Sequence, residues 1–122
     1  MTTEGFAIFL LLLVKHCIVD LCLQILVSTK SRKSRYLSAL AHFHYAQHGI
    51  GAMLVSWVFL PWPIAVTMGL IDYISHWNVD FSKSRTQQYF EIKSLGGTYW
   101  VLSVIDQGLH CITYYIIVVL LT

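Results

Sequence analysis

The sequence Val-Ile-Asp-Gln-Gly-Leu-His-Cys, residues 104–111, places two ionisable side chains in the most apolar part of the chain. Asp106 and His110 are four positions apart, so a helix puts them on one face, about 6 Å apart along its axis. A charged side chain at membrane depth costs about 3 kcal/mol on insertion scales. We therefore expect both side chains to face a buried partner, a water-filled cavity or a bound ion.

The same spacing recurs in the three other apolar segments. The pairs are His16 with Asp20, His44 with His48, and His76 with Asp80; Asp72 with His76 is the alternative register in the third segment. Each pair lies on one face of its predicted helix. The four segments are therefore predicted to direct polar pairs into one shared region.

The composition excludes an ordinary soluble domain. Of the 122 residues 57% are hydrophobic and 11% charged, and the mean hydropathy is +0.65. This composition is typical of a multi-pass membrane protein, and the length allows only one domain, residues 1–122. All positive charges except that of Lys15 lie in two loops. This distribution is typical of charges that orient a membrane protein, and it excludes a nucleic-acid partner.

Apolar runs and loop charges predict the topology. Helices are expected at about residues 6–27, 36–60, 64–83 and 99–121. Residues 28–35 carry four positive charges, and residues 82–97 carry three, so both loops are predicted to be cytoplasmic. The predicted fold class is all-α, a four-helix transmembrane bundle with both termini on the non-cytoplasmic side.

The polar pairs are predicted to lie at one depth. Asp20, His44 and Asp106 are each about eight residues from the cytoplasmic end of their segment, which is roughly 12 Å at 1.5 Å per residue. Asp80 reaches the same level if the third helix continues towards Arg85. If the third helix ends before Arg85, Asp72 and His76 are the pair at this depth.

Imidazole and carboxylate groups at this spacing are suitable ligands for Zn, Mn or Fe. Eight such groups would hold one or two ions, with the remaining groups as hydrogen-bond partners or general acids and bases. Gln24 and Gln107 are predicted to orient the ligands. The predicted metal ligands are His16, Asp20, His76, Asp80, Asp106 and His110. His44 or His48 is the predicted catalytic base, and Lys83 is predicted to neutralise a phosphate. A metal-free polar network or proton pathway is the alternative.

The motifs HxxxDxxxQ at His16, Asp20 and Gln24, HxxxDxxK at His76, Asp80 and Lys83, and DQxxH at Asp106, Gln107 and His110 occur in this order. With a histidine-bearing second helix, they resemble a family of small bacterial and phage membrane proteins of unknown function. The resemblance covers nearly the whole chain and favours the pair of His76 with Asp80. It implies a multi-pass protein of the bacterial inner membrane, and it supplies no activity.

Three functions compete at this point. The first is a metal-dependent hydrolase acting from the cytoplasmic side on a lipid-linked or phosphorylated substrate. The second is an ion or proton transporter or channel, which the almost wholly apolar outer half disfavours. The third is a structural, phage-type membrane protein without catalysis. In this third case, small residues such as Gly49 and Gly51 would mediate helix packing or homo-oligomers.

Overall fold

The computed structural model describes residues 1–23, 36–93 and 95–122. This part of the chain contains four α-helices. They are α1 (Thr3–Cys17), which continues as a π-helical segment (Ile18–Leu23), α2 (Ala39–Trp57), α3 (Trp62–Tyr89) and α4 (Gly97–Leu121). The all-α prediction is confirmed. The basic loop at residues 28–35 and the predicted orienting residue Gln24 lie outside the described residues.

Each helix packs against its neighbours in sequence, and α1 also packs against α4. The side-chain pairs show that neighbouring helices are antiparallel. Lys15 and Asp20 contact His48 and His44 of α2 in reversed order along the chain. Asp80 and Lys83 of α3 likewise contact His110 and Asp106 of α4 in reversed order. The helices thus alternate in direction around a closed bundle.

Two helices are long and apolar enough to cross a membrane, namely Thr3–Leu23 and Gly97–Leu121. The first and fourth predicted spans therefore meet the requirement of length and composition. The other two helices carry more polar residues, because α2 holds three histidines and α3 holds two aspartates and the basic residues Lys83 and Arg85.

The third helix is longer than the sequence pattern predicts. It begins at Trp62, with Pro63 in its first turn, where the missing N–H of proline costs no hydrogen bond. It ends at Tyr89 instead of residue 83, since residues 82–89 contain no glycine or proline to end it. Asp80 therefore lies on a continuous helix with His76, as the predicted register requires.

A cluster of buried apolar side chains fills the bundle towards the chain termini. Its members are Ile8, Leu12, Ala52, Met68, Tyr114, Ile117 and Val118. Tyr114 contributes its hydroxyl group to this cluster, and Ser56, one turn beyond Ala52 on α2, is fully buried as well. The buried side chains in this half of the bundle are therefore mainly apolar.

The surface of the bundle is apolar on all four helices. Exposed large hydrophobic side chains include Leu10, Val14, Phe43, Ile50, Leu54, Leu70, Ile74, Val104, Ile112 and Ile116. Soluble monomers rarely expose apolar surface on this scale. The distribution of polarity is thus inverted, with charged side chains inside and apolar ones outside.

Helices α2 and α3 approach most closely at two glycines. A Cβ atom at Gly49 would lie 2.8 Å from the carbonyl oxygen of Gly69, and one at Gly69 would lie 2.7 Å from that of Gly49. Both distances are below van der Waals contact, and the opposing atoms belong to backbone that cannot rotate away. Small residues are needed here, as they are at close helix crossings in membranes.

We therefore expect Gly49→Ala to destabilise the bundle by about 1–3 kcal/mol, because α2 and α3 must separate to admit the methyl group. Thermal unfolding of the detergent-solubilised protein, followed by circular dichroism, measures the loss. Gly108→Ala is the matched control, since a Cβ there meets nothing within 4 Å and alanine favours the helix. Equal unfolding temperatures for the two variants would contradict the close approach of α2 to α3.

Candidate metal centre

Beyond the apolar cluster, every helix contributes ionisable side chains to one buried layer. Its members with less than a tenth of their surface exposed are Lys15, His16, His44, His48, Asp72, His76, Asp80, Asp106 and His110. Asp20 joins them with its side chain 21% exposed. All six predicted metal ligands and both predicted bases therefore meet in one region.

The first group of this layer joins α1 to α2. Asp20 Oδ1 lies 3.0 Å from Nε2 of His48 and 3.2 Å from Nε2 of His44. Ligand atoms of a tetrahedral zinc ion, bound at about 2.0–2.1 Å, are separated by about 3.3 Å. The contact with His48 is a hydrogen bond, and both distances from Asp20 Oδ1 are also close to the spacing of two ligands on one metal ion.

His44 is the least satisfied histidine of the layer. Although its side chain is 1% exposed, neither ring nitrogen makes a hydrogen bond with any residue that the structure describes. A buried polar atom without a hydrogen bond costs about 1–3 kcal/mol, so such atoms are rare unless a ligand satisfies them. The Nε2 atom of His44 nevertheless lies 3.2 Å from Asp20 Oδ1, so a cation shared by these two atoms is compatible with the geometry.

The second group joins α3 to α4. Nε2 of His110 lies 3.2 Å from Asp80 Oδ1 and 3.6 Å from Asp106 Oδ1. The other oxygen of Asp106 accepts a hydrogen bond from Lys83 Nζ at 3.0 Å. The Lys83 side chain is 23% exposed, so a partly accessible ammonium group lies beside this second group.

A third group consists of histidines from α1, α2 and α3. Asp72 Oδ1 accepts the Nδ1 hydrogen of His76 at 2.8 Å, which leaves the lone pair of His76 Nε2 directed towards His16 Nδ1, 3.2 Å away. Nε2 of His16 lies 2.9 Å from the amide oxygen of Gln107. His16 Nδ1 also lies 3.0 Å from the Tyr114 hydroxyl, so this group already forms a connected hydrogen-bond network.

The carboxylate of Asp72 also anchors Lys15. The Lys15 ammonium group donates to Asp72 Oδ2 at 2.6 Å and to the Tyr114 hydroxyl at 3.0 Å, and its side chain is only 8% exposed. A lysine in an apolar helix can reach the membrane surface or pair with a neighbour. Here it pairs, and the ion pair lies between the histidines and the apolar cluster.

Two contributors to this layer escaped sequence reasoning. Tyr114 was not singled out, although it continues the stripe of Asp106 and His110 at the same spacing of four residues. For Lys15 the sequence does not identify a partner. The stripe of Tyr114 was a usable signal, whereas no local pattern pairs Lys15 with Asp72, 57 positions away.

His42, Asp72, Asp80 and Gln107 differ in where they lie relative to this layer. His42 lies apart from the layer, where its ring bonds the Tyr73 hydroxyl and the carbonyl oxygen of Tyr36. Asp72 and Asp80 both join the layer, because the continuous α3 places them one turn to either side of His76. Gln107 contacts His16 and Asp106, as expected of an orienting residue.

Asp20 lies on the π-helical segment Ile18–Leu23, not on a regular α-helix. A π-helical turn is wider than an α-helical one and frequently occurs at functional sites. His16 precedes this segment, and its Nε2 still lies 3.1 Å from Asp20 Oδ2. The segment therefore directs Asp20 towards α2 without separating it from His16.

Within the described part of the chain, three groups of residues could hold a metal ion, with their ligand atoms within 4.8 Å of one another. These groups are His16, His48 and His76; Asp20, His44 and His48; and Asp80, Asp106 and His110. Imidazole and carboxylate ligands suit Zn, Mn and Fe. The donor set thus fits a transition metal.

Fold and site together define a small all-helical protein whose buried His/Asp groups could hold a metal ion. Residues 8–122 match the family described as "Protein of unknown function (DUF3307)", and the chain belongs to that family. This confirms the expected membership in a family of unknown function; the bacterial and phage distribution stays a prediction. No curated protein and no solved structure matches the chain.

Proposed function

We propose that this protein is a membrane-embedded, metal-dependent hydrolase. Asp20, His44 and His48 bind the metal ion, and the enzyme acts from the cytoplasmic side on a lipid-linked or phosphorylated substrate. The observation that carries the proposal is the position of Asp20 Oδ1 at 3.0 and 3.2 Å from two imidazole nitrogens, one of which belongs to the unsatisfied His44 ring.

Four membrane spans account for the inverted polarity of the bundle. Large apolar side chains cover α2 and α3 as well as the two most apolar helices, for example Ile50 on α2 and Leu70 on α3. In lipid these side chains are solvated, whereas the ionisable ones must be buried. The positive loop at residues 28–35 then faces the cytoplasm, both termini face the other side, and the membrane is the bacterial inner membrane.

The ligand set supports a catalytic metal more than a structural one. His44, His48 and Asp20 would supply two imidazole ligands and one carboxylate ligand, the number of protein ligands found in hydrolytic zinc sites that also bind water. A bound ion of this kind lowers the pKa of its water to near 7, which supplies hydroxide at neutral pH. The distances support His44 and His48 as ligands, in place of the base role predicted from the sequence.

Access to the site supports an enzyme over a channel. The side chain of Asp20 is 21% exposed and that of Lys83 is 23% exposed, so the layer is partly accessible at these two residues. On the opposite side the layer meets the Lys15 pair and then the buried apolar side chains Leu12 and Met68. A conducting path requires polar contact with both faces. A site that opens at one end needs only substrate entry and product release.

The proposal predicts that the detergent-purified protein contains at least one transition-metal ion per chain. Elemental analysis by mass spectrometry measures the content. Hydrolysis of p-nitrophenyl phosphate and of phosphatidic acid in mixed micelles is expected to stop after treatment with EDTA and to resume on addition of Zn²⁺ or Mn²⁺. Added Mg²⁺, which prefers oxygen ligands, is the control and should restore little activity.

A correctly folded preparation without transition metal, or one whose hydrolysis survives chelation, would overturn the proposal. Flux of protons or cations into proteoliposomes, abolished by His110→Ala, would instead establish transport. Circular dichroism of the same samples confirms that chelation leaves the helices intact.

A further inference from the structure

From the two oxygens of Asp80, we infer that the centre binds two metal ions, with Asp80 as the carboxylate that bridges them, and that the substrate is a phosphate ester. The first ion is the one held by Asp20, His44 and His48, so the inference rests on the proposed function. The second ion is held by Asp80, Asp106 and His110.

The orientation of Asp80 carries the argument. Its Oδ1 lies 3.2 Å from Nε2 of His110, and its Oδ2 lies 3.8 Å from Nε2 of His44. The two oxygens of one carboxylate thus face two different ligand groups, one on each side of α3. A carboxylate in this position can bind one ion through each oxygen.

The second ligand group contains unsatisfied buried atoms of its own. Asp106 Oδ1 and His110 Nδ1 make no hydrogen bond with any residue in the described ranges, and the two side chains are only 5% and 2% exposed. Asp106 Oδ1 lies 3.6 Å from Nε2 of His110. Both atoms belong to the group of Asp80, Asp106 and His110, whose ligand atoms are close enough together to hold a metal ion. A cation between these atoms would satisfy the carboxylate oxygen.

Two ions point to phosphate chemistry. Paired metals about 3.5–4 Å apart stabilise both the attacking and the leaving oxygen of a displacement at phosphorus. Lys83 adds a partly exposed ammonium group 3.0 Å from Asp106 Oδ2. Two divalent cations together with the Lys83 ammonium group would suit a phosphoryl group far better than a neutral carboxylic ester or amide.

The reaction is a hydrolysis and needs no reactant besides water. The oxygen of water forms a bond to phosphorus while the bond from phosphorus to the ester oxygen breaks. The ester oxygen takes up one proton and leaves as an alcohol, and the other product is the phosphate. Nothing is oxidised or reduced.

Metal counting and electron paramagnetic resonance test the inference on the full chain in detergent. The protein is stripped with EDTA, loaded with Mn²⁺ and freed of excess metal. Two Mn²⁺ per chain and the spectrum of a spin-coupled pair are expected. Asp106→Asn should bind one Mn²⁺ and show the spectrum of an isolated ion. Glu4→Gln, which removes an exposed acid from the first turn of α1, should keep two.

One uncoupled Mn²⁺ per wild-type chain would overturn the two-ion inference and leave the proposed hydrolase standing. No bound Mn²⁺ would overturn the proposed function itself. If Asp106→Asn does not fold, His110→Gln is tested in its place, because it removes another ligand of the same ion. Hydrolysis of p-nitrophenyl acetate but not of p-nitrophenyl phosphate, with two ions bound, would overturn the substrate class.

Discussion

Replacing Asp20 by asparagine is expected to remove the ion held by α1 and α2 and to reduce hydrolysis of phosphatidic acid by at least about 100-fold. Asn keeps the size of the side chain and loses the charge that binds the metal. Loss of a residue that merely orients a ligand weakens metal binding by about 10–100-fold, so loss of a ligand should exceed that range. Elemental analysis and the phosphate-release assay measure the two effects.

Glu4→Gln is the control for this prediction, because it makes the same chemical change at an exposed position. The control should keep the metal content and the rate of the wild type. Unchanged metal content in Asp20→Asn, with normal circular dichroism, would show that the exposed carboxylate is not a ligand. The bound metal would then belong to one of the two other groups, His16 with His48 and His76, or Asp80 with Asp106 and His110.

The second large effect concerns stability. Lys15→Met is expected to lower the free energy of unfolding by about 3–5 kcal/mol, because it leaves the buried carboxylate of Asp72 without its ammonium partner. The two groups are 2.6 Å apart, and their side chains are 8% and 1% exposed. Unfolding of the detergent-solubilised protein by increasing SDS, followed by circular dichroism, measures the loss.

The double variant Lys15→Met with Asp72→Asn separates charge pairing from packing. It leaves no unpaired charge, so it should recover most of the lost stability. Lys93→Met, at an exposed position, should unfold like the wild type. If the double variant were no more stable than Lys15→Met alone, the loss would come from the packing of the lysine chain against Gly51 and not from the ion pair.

Much of the candidate site follows from spacing alone. Asp106 and His110 share a helical face in any regular helix, and equal distances from the basic loops place Asp20 and His44 at one level. These are consequences of the rise and period of the α-helix, which the sequence carries directly. The confirmed all-α class rests on the same regularity.

Other features depend on how the helices are rotated against each other. His44 is buried in the layer, whereas His42 bonds Tyr73 and Tyr36 outside it, and the spacing along α2 alone does not predict which of the two faces the interior. The π-helical segment Ile18–Leu23, which carries Asp20, is not predicted by the sequence, because its six residues show no pattern that distinguishes a π-helix from an α-helix.

By itself, the sequence determined that this chain is apolar and helical and that each predicted span carries polar side chains four residues apart, because composition and period are local properties. The tertiary structure alone decided which of these groups touch. It paired Lys15 with Asp72 and placed the two oxygens of Asp80 against different histidines. The physical reason is that ion pairing and coordination act over about 2–4 Å between helices, a distance that no spacing along one helix can specify.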